Sequence, residues 1–430
     1  MALSKSVKLL RNETDIFSEP GYDISLASSE IVAYHPLTST SNQNNPITFF
    51  IQGNDTQYLD FSESSLYLRC KIVCSDPKHT AKDMAPTNNF LHSLFKEVIV
   101  HLNETQITPH NNAYGHKAYI ETVLSYGSDY KKSQAQAAMF YREKDPTKVT
   151  DKGVVARIER THGGQTFELM GRLHVDFFAQ TRYLIPGIDV RIQLTRNIDE
   201  FTIMYWGTDS VKFPVTIEEA KFTVMKHSLL PSILMNQLKI WQSGHPACYP
   251  MRRGELKNYS IPTGSLQHVN ENILSGLLPD RVVVGLVNSQ SYHGNLKSTT
   301  YNFGDHDLSS IFLTVNSDHQ AVYKYELDKV NSKILESFYG LFSGMGIAEC
   351  DDGIDMGLDE YINGRQLYVF DLRNMRDDFP MPRHGNIKLE LKFKNGTASV
   401  LTSVIYADYP STMYIDKTKN IYFRNFEKSK

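Results

Sequence analysis

Along much of this chain, apolar and polar residues alternate one for one. In the stretch GIDVRIQLTRN (187–197), Ile188, Val190, Ile192 and Leu194 alternate with Asp189, Arg191, Gln193 and Thr195. In NIKLELKFKN (386–395), Ile387, Leu389, Leu391 and Phe393 alternate with Lys388, Glu390, Lys392 and Lys394. Successive side chains of a strand point to opposite faces, so each stretch predicts a half-buried strand. Further strands are predicted at 47–52, 65–74, 97–103, 166–178 and 215–226, and again at 281–287, 310–316, 366–374 and 399–409. Clusters of Asn, Gly, Asp and Pro separate them, which is the pattern of a β-sandwich or barrel.

The two halves run in the same order. Leu173 and Val175 lead through a loop holding Pro186 into the strand at 187–197. Leu367 and Val369 lead through a loop holding Pro380 and Pro382 into the strand at 386–395. A second long strand follows each. Helices also fall in comparable places. Residues 112–127 set Ile120, Val123 and Leu124 on one face and stop at Gly127; residues 328–342 set Val330, Ile334, Phe338 and Leu341 on one face, with Asp328 as N-cap. Such parallel order predicts an internal duplication. Between the halves, 229–244 predicts a linking helix, with Pro231 in its first turn, Gly244 as its stop and a stripe of Leu230, Leu234, Leu238 and Trp241.

Length agrees with two units, because 430 residues exceed what one hydrophobic core organises. The chain is 41% apolar and 22% charged with a formal net charge of -3, which excludes proteins that coat nucleic acid by bulk positive charge. The N-terminus shows no apolar run of secretory-signal length, and RVVVGLVN (281–288) falls far short of the roughly 20 residues that span a bilayer. The expectation is a soluble chain without a membrane span, kept inside a cell. Cys70, Cys74, Cys248 and Cys350 are then expected to be buried, reduced thiols.

The motifs of chemistry are missing. There is no phosphate-cradling G-x-x-x-x-G-K-[ST], no H-E-x-x-H and no G-x-S-x-G. GLFSGMG (340–346) follows a helix instead of a strand and has its glycines misplaced, so it is a turn. The acidic run 349–360 holds the one weak metal candidate, in which Asp351, Asp352 and Asp355 could offer oxygens to Ca²⁺. Its spacing is not that of an EF-hand, and a solvated loop is the plainer expectation. His245 with Cys248 is a single pair, whereas a structural zinc needs four ligands. Arg252, Arg253 and Lys257, and the tail residues Lys417, Lys419, Arg424, Lys428 and Lys430, could meet phosphate. No catalytic or cofactor-binding residue is assigned, no cofactor is expected, and the chain is not expected to be an enzyme.

Several stretches carry a resemblance: 51–72 (IQGNDTQYLDFSESSLYLRCKI), 88–107 (NNFLHSLFKEVIVHLNETQI), 119–133 (YIETVLSYGSDYKKS), 171–197 (GRLHVDFFAQTRYLIPGIDVRIQLTRN) and 322–344 (VYKYELDKVNSKILESFYGLFSG). In these the chain resembles the double jelly-roll major capsid proteins of the Polinton/Maverick elements and the adintoviruses. The resemblance implies an all-β fold of two tandem eight-stranded jelly rolls, with short helices in loops and at the domain junction. It divides the chain into an N-terminal arm (1–45), a first jelly roll (46–228), a linker helix (229–245), a second jelly roll (246–416) and a basic tail (417–430). It also implies a structural role: a homotrimer forming a pseudo-hexagonal capsomer in the capsid of a virion, assembled inside a host cell. The implied partners are neighbouring capsomers and a single jelly-roll penton protein at five-fold vertices, with a weak genome contact through the tail.

Three rivals remain at this level. A two-domain jelly-roll carbohydrate-binding protein would use exposed aromatics and the 349–360 loop. A cupin-like enzyme would need converging histidines, and no H-x-H pair is present. A minor vertex protein would need the strand order only once.

Overall fold

The computed structural model describes residues 25–40, 45–74, 84–110, 112–207, 211–316, 322–328, 333–351, 353–373 and 383–423. Within them the alternation resolves into two successive sets of eight sandwich strands, beside a short two-stranded pair, Met84–Pro86 with Ile203–Tyr205, and a short strand near the end, Ile421–Phe423. The first set is β1 (Leu26–Tyr34), β2 (Ile47–Ile51), β3 (Gln57–Ile72), β4 (Phe95–Leu102), β5 (Thr105–Gln106), β6 (Thr166–Gly171), β7 (Val190–Arg196) and β8 (Val215–Leu229). The second is β9 (Ala247–Ile261), β10 (Gln267–Leu277), β11 (Arg281–Asn288), β12 (Leu308–Val315), β13 (Val322–Glu326), β14 (Leu367–Asp371), β15 (His384–Phe393) and β16 (Leu401–Ile415).

The first set forms two antiparallel sheets with strand orders β1-β8-β3-β6 and β2-β7-β4-β5. The second forms β9-β16-β11-β14 and β10-β15-β12-β13. Adding eight to each label of the first half reproduces the second. Each half is therefore a jelly roll, two four-stranded sheets face to face. The stretches 187–197 and 386–395 contain β7 and β15, the same position in two copies.

Alternation places the cores. Phe49 on β2 and Ile192 on β7 meet Leu66 on β3 and Phe222 on β8 inside the first sandwich. The Phe49 and Phe222 rings lie 5.9 Å apart across it. In the second sandwich, Ile311 on β12 and Leu391 on β15 meet Val284 on β11 and Ile405 on β16.

Two insertions hold most of the helix. Residues 107–165, between β5 and β6, contain α1 (Tyr114–Ser125) and α2 (Lys152–Thr161). Between the rolls runs α3 (Pro231–Gln242), which buries Trp241 and packs Ile233, Leu234 and Leu238 on the first core. Its proline stands at the helix start, and Gly244 follows it with φ of 101°, a conformation that a side chain would oppose. Residues 327–366, between β13 and β14, contain α4 (Leu335–Met345). The helices expected over 112–127 and 328–342 fall in these matching loops as α1 and α4, the second shifted to Leu335–Met345, with Val330 outside the described residues.

Several expectations need correction. Residues 26–34, expected to belong to an irregular arm, form β1 and pair with β8 from Leu26↔Leu229 to Tyr34↔Phe222. Within the expected basic tail, Ile421–Phe423 pairs as a short strand with the end of β16. The strand expected over 166–178 stops at Gly171, and Asp176–Ala179 turns as a 3₁₀ helix. The counterpart of β14 is therefore β6, and Leu173 and Val175 lie past its end. α4 begins at Leu335, with Ile334 as N-cap, while Asp328 pairs by its backbone with Lys333. Among the thiols Cys70 is buried, Cys74 and Cys248 are half-buried, and Cys350 is exposed.

Candidate functional site: the seam between the two lobes

Helix α1 is the wedge that joins the rolls. Tyr114 and Ala118 belong to the first core, while Tyr119, Ile120, Val123 and Leu124 belong to a separate cluster. That cluster continues into Val283 and Val287 of β11, Leu367 and Val369 of β14, and Val404 of β16. α1 is buried on both sides: Ala113–Leu124 is buried except at Glu121, and the polar His116, Lys117 and Thr122 are buried with the rest.

Rings fill the centre of the seam. Tyr119 stacks on Tyr301 at 4.2 Å and 7°, and the Tyr301 hydroxyl lies 2.7 Å from Ser93 Oγ. His116 stacks on Tyr292 at 4.4 Å. Burial, together with the neighbouring His293, pushes His116 down to about 3, so it packs as a neutral ring. Gly285 on β11 makes this fit possible, because a Cβ there would lie 2.5 Å from the Phe303 ring and 2.9 Å from Leu367.

Charged groups pin the edges. Lys117 Nζ lies 2.6 Å from Asp176 Oδ1 and 3.8 Å from Glu121 Oε1, one turn along α1. Asp176 Oδ2 accepts from the Gly254 amide of β9 at 3.2 Å, and Glu121 Oε1 accepts from the Tyr406 hydroxyl of β16 at 3.1 Å. Burial alone would lower the Lys117 ammonium, but Asp176 and Glu121 outweigh it and hold it above the ordinary lysine value. For Glu121 burial acts upward, and Lys117 and His174 override it to hold the carboxylate below its usual range.

A second cluster crosses the seam elsewhere. Arg142 reaches Glu360 at 2.5 Å and Asp355 at 2.7 Å, and Arg365 holds the other Glu360 oxygen at 2.9 Å. Beside them Lys131 donates to the Val123 carbonyl of α1 at 2.7 Å. Burial, reinforced by the Arg365 charge, pushes this lysine down to about 7. At the other end of the molecule the Ile185 amide donates to Tyr249 OH at 2.9 Å, and Trp241 Nε1 donates to the Ile415 carbonyl at 3.1 Å. Lys419 reaches the Gly187 carbonyl at 2.8 Å.

One constellation has the outline of a catalytic relay. His174 lies 2.7 Å from Glu121 Oε2 and 3.3 Å from Thr122 Oγ1. Thr122 is buried, however, and its hydroxyl donates to the Ala118 carbonyl one turn back at 2.7 Å. Its proton is committed to the helix. The adjoining cleft, about 210 Å³, is lined by Arg252 and Arg281, both bonded to Asp408, at 2.9 and 2.6 Å. These groups hold one another and the two lobes.

Of the calcium candidates, Asp355 is engaged by Arg142, Asp351 is exposed, and Asp352 lies outside the described residues. No cluster of three or more His, Cys, Asp or Glu set for a metal occurs among the described residues. Arg252 is paired within the cleft and Lys419 is bonded to the first roll; Arg424, Lys428 and Lys430 lie outside the described residues. No helix among the described residues is long and apolar enough to cross a membrane. Sequence reasoning missed Lys117, Glu121, Asp176, His174 and Tyr406. The i,i+4 spacing of Lys117 and Glu121 was a usable signal, but their partners lie far along the chain.

No family model matches the sequence. The chain is 25% identical over 402 residues to the uncharacterized protein F54H12.2 of Caenorhabditis elegans, covering 89% of this chain and 94% of that one. Among solved structures it superposes on a chain of the Sputnik virophage with a TM-score of 0.66 at 10% identity, covering 98% of this chain and 93% of that one. The mavirus major capsid protein matches with a TM-score of 0.54 at 9% identity over 99% and 96% of the two chains. PBCV-1 VP54 matches with a TM-score of 0.59 at 12% identity over 95% and 100%. At such identities the likeness is one of fold. The chain has the double jelly-roll fold of these viral proteins.

Proposed function

We propose that the chain is a major capsid protein, a structural unit whose copies tile a closed shell. The observation that carries this is the strand-for-strand duplication, with the two rolls locked by one buried seam. A chain of two like lobes places six similar lobes around a three-fold axis. Repeated contacts then need one surface solution per type. The full-length likeness to the mavirus and Sputnik chains supports it, and so does a seam whose chemistry is cohesion.

In finer detail, the unit is a homotrimer forming a pseudo-hexagonal capsomer that abuts neighbouring capsomers, and a single jelly-roll penton protein closes the five-fold vertices. Its place is the virion capsid, assembled within a host cell, and the basic tail makes at most a weak contact with the genome. The group is that of the Polinton/Maverick elements and adintoviruses, supported by the sequence stretches quoted above. The nematode relative agrees with a gene carried by an animal host. The domain boundaries become 25–229 for the first roll, α3 as linker and 247–423 for the second.

Light scattering on a sizing column tests the assembly. Three copies of a 49.1 kDa chain give a species of about 147 kDa, or larger shells. A monomer at every concentration sinks the proposal and favours the carbohydrate-binding alternative.

A further inference from the structure

Three chemistry-bearing side chains meet away from the seam, where β1, β8 and β3 run side by side. Ser29 of β1 stands opposite His227 of β8, and its Oγ lies 2.7 Å from His227 Nδ1. Across the ring, Nε2 faces Asp60 Oδ2 of β3 at 3.6 Å and has no hydrogen-bond partner. Asp60 is itself fixed, because Oδ1 accepts from the Ser62 amide at 2.8 Å and from the Ser62 hydroxyl at 2.6 Å. His227 and Asp60 are buried, at 4% and 6% exposure, whereas Ser29 is exposed. A hydroxyl open to solvent is thus backed by a shielded base and a shielded carboxylate, the order in which an activated nucleophile is built.

The surroundings extend this group into a site. The pairing register of β1 shifts between Leu26 and Ser28, which re-aims the strand just before Ser29. Among the described residues β1 is an edge strand, so alternate amides beside Ser29 are unpaired and can donate to an oxyanion. A pocket of about 240 Å³ adjoins it, walled by Tyr58, Tyr183, Ile185, Trp241 and Tyr249. Tyr183 belongs to both, since its ring stacks on His227 at 4.4 Å. Tyr58 does too, as the cross-strand partner of His227 on β3. Aromatic and apolar walls beside the base select the substrate class, a carboxylic ester with an apolar acyl group.

We infer that Ser29, His227 and Asp60 form a hydrolytic site for apolar carboxylic esters, an activity independent of whether the chain assembles. Facing Asp60, the imidazole carries its proton on Nε2, which leaves Nδ1 to accept from the Ser29 hydroxyl. Ser29 Oγ adds to the ester carbonyl carbon while its proton passes to Nδ1. The adduct collapses, the bond to the alcohol oxygen breaks, and that oxygen takes the proton from Nδ1 as it leaves. Water then adds to the acyl carbon and gives a proton to Nδ1. The bond to Oγ breaks, the proton returns to Ser29, and the carboxylic acid departs. Ester and water become acid and alcohol, with no change of oxidation state. Asp60 stabilises the imidazolium in both halves, and the 3.6 Å approach shortens as that charge forms.

The test uses the purified full-length chain with p-nitrophenyl butyrate and, separately, with a fluorophosphonate probe. The parent chain should release p-nitrophenolate with saturation kinetics and carry the probe on the peptide that holds Ser29. Ser29→Ala should lose the adduct, and Ser29→Ala and His227→Gln should each lower kcat by at least about 100-fold. Ser29 is exposed, so thermal unfolding of its variant should match the parent and separate lost chemistry from lost fold. Ser28→Ala, at the exposed neighbour, should leave turnover and labelling unchanged. Asp60 acts through His227, so Asp60→Asn should lower kcat at unchanged KM, and Asp60→Glu should restore part of it. Turnover that persists in Ser29→Ala, or a probe adduct on another residue, overturns the assignment. So does a parent chain that neither cleaves the ester nor takes the probe, which leaves the three side chains as a clasp between β1, β8 and β3.

Discussion

β3 and β11 hold the same place in their rolls, third in sequence and third in their sheets, yet their surroundings differ. β11 is buried without interruption from Val282 to Val287. Val282, Val284 and Leu286 fill the second sandwich, while Val283 and Val287 meet the seam. On β3 only one face is buried in its second half: Leu66, Leu68 and Cys70 point inward, whereas Tyr67, Arg69 and Lys71 look outward. The fold was duplicated and the surroundings were not. What covers a sheet is decided by a loop insertion of the other roll, so one strand reads as a continuous apolar run and its counterpart as a simple alternation.

The largest effect should fall where the two rolls agree. Ile192 and Leu391 are both fully buried at corresponding strands. Ile192→Asp or Leu391→Asp should each abolish soluble expression, because an unpaired buried carboxylate costs several kcal/mol, on the order of the whole stability of a domain. A soluble, cooperatively unfolding variant of either kind would break the strand-face assignment.

The comparison itself is tested by one pair of substitutions. Val283→Asp, on the covered outer face, should destabilise the chain by about 3–5 kcal/mol, whereas Met170→Asp, on the open outer face, should lie within about 0.5 kcal/mol of the parent. Urea unfolding of the monomeric chain reads both. Equal costs would mean that the two faces are covered alike.

A smaller effect depends on pH. The folded chain holds Lys131 down to about 7 from the ordinary lysine value of 10.5, first through burial and then through Arg365. A lysine lowered in the folded state binds fewer protons there than when unfolded. Its penalty is therefore complete below pH 7 and shrinks as pH rises from 7 towards 10.5. Lys131→Met should raise stability by about 2 kcal/mol below pH 7, after allowing for the lost hydrogen bond to Val123, and the gain should fade on the alkaline side. A gain that grows with pH would reverse the assignment. The smallest change is Tyr301→Phe, which removes the hydroxyl contact to Ser93 and should cost about 1 kcal/mol in the same unfolding assay, sharpening how much of the seam is polar.

How much of this was legible depends on how local the signal is. Strands β2, β7, β12 and β15 were readable because each buries one face, and that period is written in the residues themselves. β1 was missed because LASSEIVAY is exposed at most positions and carries no alternation; it is a strand only because β8 offers it a partner. β9 and β10 are likewise mixed in character, and long-range pairing to β16 and β15 sets them. α1 was readable as a helix with one apolar face, but its second face was not, because Tyr119 and Tyr114 look alike in sequence and pack into different clusters. The expectation that all four cysteines are buried held only for Cys70: Cys74 and Cys248 are half-buried, and Cys350, in the loop after α4, is exposed.

The all-β class, the repetition of strand order and the linking helix were readable from the residues alone, since side-chain period, turn residues and helix caps act over a few neighbouring positions. Tertiary packing alone brings Lys117 to Asp176, whose other oxygen accepts from the Gly254 amide, brings Tyr406 to Glu121, and covers one roll's sheet while its twin lies open among the described residues. Those contacts join residues 59 to 285 positions apart. They depend on how two finished sandwiches pack, and no local pattern of residues specifies that.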